Sequence, residues 1–144
     1  MNRLGLAGKI SGILPPREFL PGPAQGALAV QIRAPGAGPD GSEMGDLASK
    51  LDDKEAQITA QAERHILASM HGGCSIPIGV YSEINAGNIS MDAMISDLEG
   101  KKYVKRSTTA PLDQALTAGE QLAQELLAAG GQNILDQIRA ERCD

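Results

Sequence analysis

Between residues 54 and 70 the apolar positions Ile58, Ala62, Ile66, Leu67 and Met70 recur every three or four residues, whereas from 76 to 96 they recur every second residue. The first spacing predicts an amphipathic helix and the second predicts strands with one buried face. Ile78, Val80 and Ile84 share a face of a strand expected over 76–84, and Ile89, Met91, Ala93 and Ile95 share a face of another over 89–96. A third strand is expected over 101–109. The turn residues Asn85-Ala86-Gly87-Asn88 and Glu99-Gly100 separate the three, so a three-stranded antiparallel meander with one wet face is the economical arrangement. From Leu112 the period is helical again. Leu116, Gly119, Leu122, Ala123, Leu126 and Leu127 form a stripe, Gly130-Gly131 stops it, and Gln132 to Arg142 forms a last helix presenting Ile134, Leu135 and Ile138.

The pattern before residue 42 is different. Residues 2–10 suit a short helix interrupted by Gly, after which Pro15, Pro16, Pro21 and Pro23 bar regular helix. Ala27-Leu28-Ala29-Val30-Gln31-Ile32 reads as a strand covered on both faces, yet it has no evident partner before residue 76. Pro35 to Gly41 marks a linker. Beyond it, Ser42 suits the cap of a helix carrying Met44, Leu47, Ala48 and Leu51, and Asp52 with Glu55 resembles a capping box opening the helix that stops at Gly72-Gly73. The expected fold class is α+β: a three-stranded antiparallel sheet covered on one face by helices, preceded by a remnant of an α/β domain.

Composition narrows the function. With 42% hydrophobic residues among 144, the chain can build a core, but one Phe, two Tyr and no Trp leave that core to Leu, Ile, Val, Met and Ala. A net charge of -5 argues against a nucleic-acid partner, and the short basic run Lys101 to Arg106 reads as a solvated strand or turn, with an anion contact as the alternative. No apolar run is long enough to span a membrane and the N-terminus lacks an export signal, so no membrane partner is expected. Two widely spaced cysteines give neither a disulfide framework nor paired metal ligands, which makes a reducing cytoplasm the default location.

Candidate chemistry centres on Cys74, in the loop His71-Gly72-Gly73-Cys74-Ser75-Ile76-Pro77-Ile78-Gly79 between the helix and the first strand. A thiolate is a strong soft nucleophile, and Gly72 and Gly73 let backbone and a ligand approach without Cβ collisions. Two readings are open on these residues alone: a covalent attachment point, or a small packed residue at a turn. A bridge to Cys143 is a further option, dependent on geometry. The C-terminal dipole end of the preceding helix does not favour the thiolate, which suits a one-time attachment better than a turnover nucleophile. His65 and His71 are six residues apart and point in different directions on a helix, so they form no metal pair. Glu63-Arg64 and Asp52-Asp53 read as exposed helix charges and caps. Gln25-Gly26 is either a plain turn or a place where backbone approaches a ligand.

Three blocks occur in order: Leu14-Pro15-Pro16-Arg17-Glu18-Phe19-Leu20-Pro21, then Gln25-Gly26-Ala27-Leu28, then Ala62-Glu63-Arg64 through Gly72-Gly73-Cys74-Ser75-Ile76-Pro77-Ile78-Gly79. Together they resemble the C-terminal part of the porphobilinogen deaminase (hydroxymethylbilane synthase) family, and the likeness runs over essentially the whole chain. The resemblance implies that Cys74 carries a dipyrromethane cofactor through a thioether, with Gly73 beside it and Gln25 and Gly26 next to the cofactor at a hinge. It also implies the substrate: four porphobilinogen molecules are condensed onto the primer with loss of ammonia and released as hydroxymethylbilane. In that family two domains enclose the site and a third offers the cysteine loop. By that likeness, residues 1–41 comprise the end of the second domain, a strand returning toward the first and a linker, and residues 42–144 form the cofactor-anchoring domain.

The departures are as informative. The family's catalytic aspartate and the arginines that bind substrate carboxylates belong to N-terminal domains absent from this sequence, so no catalytic residue is assigned here and the chain alone is expected to be inactive. Ala24 stands where the family tends to have Gly, and Gln31-Ile32 replaces its usual Glu-Cys pair. The competing class is a free-standing α+β binding or oligomerisation module without catalysis.

Overall fold

The computed structural model describes residues 1–33, 41–70 and 76–141, the side chains of 41–43 excepted. Helix α1 spans Gly41–Ser49 and helix α2 spans Lys54–Ser69. Strands β1 (Ile78–Asn85), β2 (Asn88–Ser96) and β3 (Tyr103–Pro111) follow, then helices α3 (Ala115–Leu126) and α4 (Gln132–Glu141). The three strands form one antiparallel sheet in the order β1-β2-β3, so the expected α+β meander is present. Ala86 and Gly87 join β1 to β2 with φ of 49° and 77°, the positive values that a two-residue type I′ hairpin requires.

The core lies between the sheet and the helices. Val80, Ile89, Met91, Ala93 and Ile95 are buried on one face of the sheet against Ala62 and Ile66 of α2, Met70 just beyond it, Leu122 and Leu126 of α3, and Leu135 and Ile138 of α4. At Gly119 an added Cβ would stand 3.2 Å from Ile66 Cγ1, so α3 and α2 approach closely. That approach selects small residues: Ala115 and Ala118 are buried, while Leu116, expected on the apolar stripe, is exposed. The stop at Gly130-Gly131 is present as a kink with Gly130 at φ 117°, after which α4 runs back over the core.

Several local expectations shift. Asp53, not Asp52, caps α2, accepting from the amides of Glu55 and Ala56. This moves Glu55 out of the third helical position, where a reciprocal box needs it. The helix ends at Ser69 with Met70 as its cap, three residues before the expected glycine stop. α1 begins at Gly41, which places Ser42 within its first turn, and Met44, Leu47 and Leu51 remain exposed. Residues 2–10 form two 3₁₀ turns, Asn2–Leu4 and Ala7–Lys9, in place of a helix. The expected strand over 27–32 is absent: the segment is unpaired and exposed, with Leu28 96% accessible. A strand needs a neighbouring sheet edge to pair with, and this segment pairs with neither open edge of the three-stranded sheet. No helix among the described residues is long and apolar enough to cross a membrane.

Candidate functional site

The face of the sheet turned away from the helices is not simply wet. Gly79, Tyr81 and Glu83 of β1, Ser90, Asp92 and Met94 of β2, and Lys105 and Ser107 of β3 share it by register. Residues 15–21 cross this face as a strap. The Arg17 guanidinium bonds Asp92, donates to Glu83 Oε1 at 2.6 Å and to Ser90 Oγ at 2.8 Å, and lies 5.8 Å from the centre of the Tyr81 ring. Lys105 Nζ donates to the Arg17 carbonyl at 2.6 Å. Asp92 is buried beneath the strap and also accepts from Ser107 Oγ at 2.5 Å. The expected wet face is therefore partly covered, because alternating polar residues can be satisfied by an ion-paired segment as well as by water.

Charge at this cluster is fixed by its contacts. Hydrogen bonds from Arg17 and then from Tyr81 hold the Glu83 carboxyl below the usual carboxylate range. Arg17 is raised above its ordinary value, chiefly by its bond to Glu83. Tyr81 is raised, first by burial and then by its hydrogen bond to Glu83.

The strap leaves the sheet at the free edge of β1. There the Val80 amide donates to the Pro21 carbonyl at 2.9 Å, and Gly79 permits the crossing: a Cβ on it would lie 2.7 Å from Leu20 Cβ and 2.9 Å from the Leu20 carbonyl oxygen. Beyond Pro21 the chain closes into a turn. The Gln25 amide donates to the Gly22 carbonyl at 2.9 Å, and the Gln25 side chain accepts from the Gly22 amide at 3.1 Å. Ala24 has φ 59° and Gly26 φ 91°.

This turn is fastened to α2 by Glu63. One carboxylate oxygen accepts from the Ala24 amide at 2.7 Å, and the other accepts from the Ser82 amide and from Ser82 Oγ, each at 2.8 Å. Glu63 is 7% exposed, which corrects its reading as an exposed helix charge. The signal was in the sequence: Glu63 lies three and seven residues before Ile66 and Met70, on the inward stripe of the helix.

Gln25, Gly26, Glu63, Tyr81 and Ser82, with the apolar Ala56 and Ala60, line a cleft of about 410 Å³ between the turn, α2 and β1. Arg64 lines a neighbouring groove beside Leu28 and Val30. Gly73, Cys74, His71 and Cys143 lie outside the described residues. The described chain on either side of the Cys74 loop is Met70, fully buried at the end of α2, and Ile76, partly buried before β1. Among the described residues no group of His, Cys, Asp or Glu is arranged to hold a metal ion.

Fold and site together define a small α+β domain in which the sequence Gly72-Gly73-Cys74 falls between α2 and β1. A family model described as "Porphobilinogen deaminase, C-terminal domain" matches residues 57–128. The chain is also similar to porphobilinogen deaminases of Maridesulfovibrio salexigens (34% identical, over 96% of this chain and 43% of the relative), Corynebacterium diphtheriae (33%, over 94% and 44%) and Gloeobacter violaceus (36%, over 96% and 41%). It belongs to the porphobilinogen deaminase family and spans less than half the length of these relatives.

Proposed function

We propose that this chain is the C-terminal, primer-holding part of a porphobilinogen deaminase, the cytoplasmic enzyme that assembles hydroxymethylbilane from four porphobilinogen molecules in tetrapyrrole biosynthesis. The observation that carries this reading is the family match over residues 57–128, which runs from within the first turn of α2 through the Cys74 segment and the three strands to the end of α3. Cys74 is the anchor, through a thioether to dipyrromethane. Forming that bond requires an electrophilic pyrrole-methylene group: the sulfur makes the new C–S bond, the thiol proton goes to the departing amine, and no electrons are exchanged. When bound, dipyrromethane supplies a free pyrrole position to which the substrate units add.

The described residues fit part of that task. The cleft beside Gln25 and Gly26 is within the size range of small-molecule sites and is lined by backbone, small apolar side chains and the polar tips of Gln25, Tyr81 and Ser82. Its lining includes no Lys or Arg, and both oxygens of its one carboxylate are engaged. The primer's carboxylates therefore need cations from elsewhere, which agrees with assigning the substrate-binding arginines and the catalytic aspartate to N-terminal domains that this chain needs as partners. Residues 1–41 belong with those domains and 42–144 with the anchor. Ile13, Leu14, Phe19, Leu28 and Val30, all exposed, support a partner surface along the N-terminal segment.

The purified chain mixed with porphobilinogen is expected to release no ammonia and form no bilane. Turnover by the chain alone would overturn the assignment of the catalytic groups to a missing part.

A further inference from the structure

We propose that Glu63 is a positioning residue that locks the Gln25-Gly26 turn onto the helix leading to Cys74. The role of that turn beside a cofactor rests on the reading above, whereas the lock itself is argued from the contacts of Glu63.

The turn from Gly22 to Ala27 is closed by its own hydrogen bonds, so it behaves as one unit: Gln25 to Gly22, Gly22 to the Gln25 side chain, and Ala27 to Ala24. It is held to the rest of the domain at two points. Its entrance is tied to β1 by the Val80 to Pro21 bond, and its apex is tied to α2 by the Ala24 amide on Glu63. The second oxygen of Glu63 takes both donors of Ser82, so one side chain fixes the turn, the helix and the edge strand relative to one another. From Glu63 to Met70 is seven residues, about 10 Å of continuous helix at 1.5 Å per residue. A turn clamped at Glu63 is thereby held at a set distance from the root of the Cys74 loop.

The chemistry requires a carboxylate. Three N–H or O–H donors converge on two oxygens, and an ionised carboxylate accepts on both while an amide accepts on one only. In Glu63→Gln the amide oxygen is best placed toward the two Ser82 donors, which leaves the amide nitrogen facing the Ala24 N–H. The turn should then open while the helix and sheet stay folded.

Hydrogen exchange of the chain, read amide by amide, tests this. In Glu63→Gln, exchange at Ala24 and Gln25 should rise about 10- to 100-fold, the effect of losing a hydrogen bond to a charged acceptor, with α2 and β2 unchanged. Ser82→Ala, which removes only the hydroxyl, should leave Ala24 protected. Unchanged exchange at Ala24 in Glu63→Gln, or a uniform rise across the whole sheet, would overturn the proposal. Should Glu63→Gln not fold, a scalar coupling across the hydrogen bond from the Ala24 nitrogen to the Glu63 carboxyl carbon in the unmodified chain decides: its detection supports the lock and its absence overturns it. An intact mass of the same samples reports Cys74 separately, so failure of the anchor and failure of the lock are distinguishable.

Discussion

Ala24 occupies the left-handed region at φ 59°, where a Cβ is disfavoured and glycine is at ease. Ala24→Gly should therefore stabilise the chain by about 1 kcal/mol, after allowing for the greater freedom of Gly in the unfolded state. Chemical denaturation would measure it, and a loss of stability would mean the turn is not held as described. The cap of α2 gives a second comparison. Asp53→Ala should cost about 1 kcal/mol and Asp52→Ala a few tenths, because Asp53 takes two amides whereas Asp52 pairs only with the exposed Lys54. Equal costs would restore the capping box that the sequence suggests. One-residue shifts of this kind are hard to read from sequence, since adjacent aspartates offer the same chemistry. Glu63 was legible by helical phase, but its partner at Ala24 is 39 residues away, and nothing local announces such a contact.

Among elements, the meander and its helices were legible because each repeats a short period that burial enforces, and Ile89, Met91, Ala93 and Ile95 are all fully buried as their alternation requires. The strap was not. Its residues carry no period, and its anchors lie in three strands far along the chain. Gly79 marks the crossing, so Gly79→Ala should displace Leu20 and cost about 1–3 kcal/mol of overpacking, or release the strap at smaller cost. Exchange at the Val80 amide, which is bonded to Pro21, would rise in either case; an unaltered Val80 would contradict the crossing. The strap is also sensitive to acid. The Glu83 carboxyl titrates lower in the fold than in the unfolded chain, so its contribution is present above the ordinary carboxylate range near pH 4.5 and is lost as pH falls through its depressed value. The Tyr81 ring signal beneath Arg17 should therefore shift below that range, and added salt should weaken the exposed Arg17–Glu83 pair. A Tyr81 signal that stays constant on acidification until the whole domain unfolds would contradict this. The missing strand over 27–32 has the opposite lesson: its composition suits a strand, and a ladder partner decides whether one forms.

For the whole molecule, an ordered core from α2 to α4 stands beside an N-terminal segment and an α1 that keep large apolar residues exposed, among them Leu28, Val30, Met44, Leu47 and Leu51. That asymmetry belongs to a chain spanning 41–44% of the length of these relatives. The most direct measurement is the intact mass of this chain produced with the N-terminal part of a porphobilinogen deaminase and porphobilinogen, followed by mapping of the modified peptide. The account predicts a gain of two pyrrole units confined to the Cys74 peptide, lost in Cys74→Ser, and no gain in the chain produced alone. A modification on Cys143, or one that survives Cys74→Ser, would contradict it.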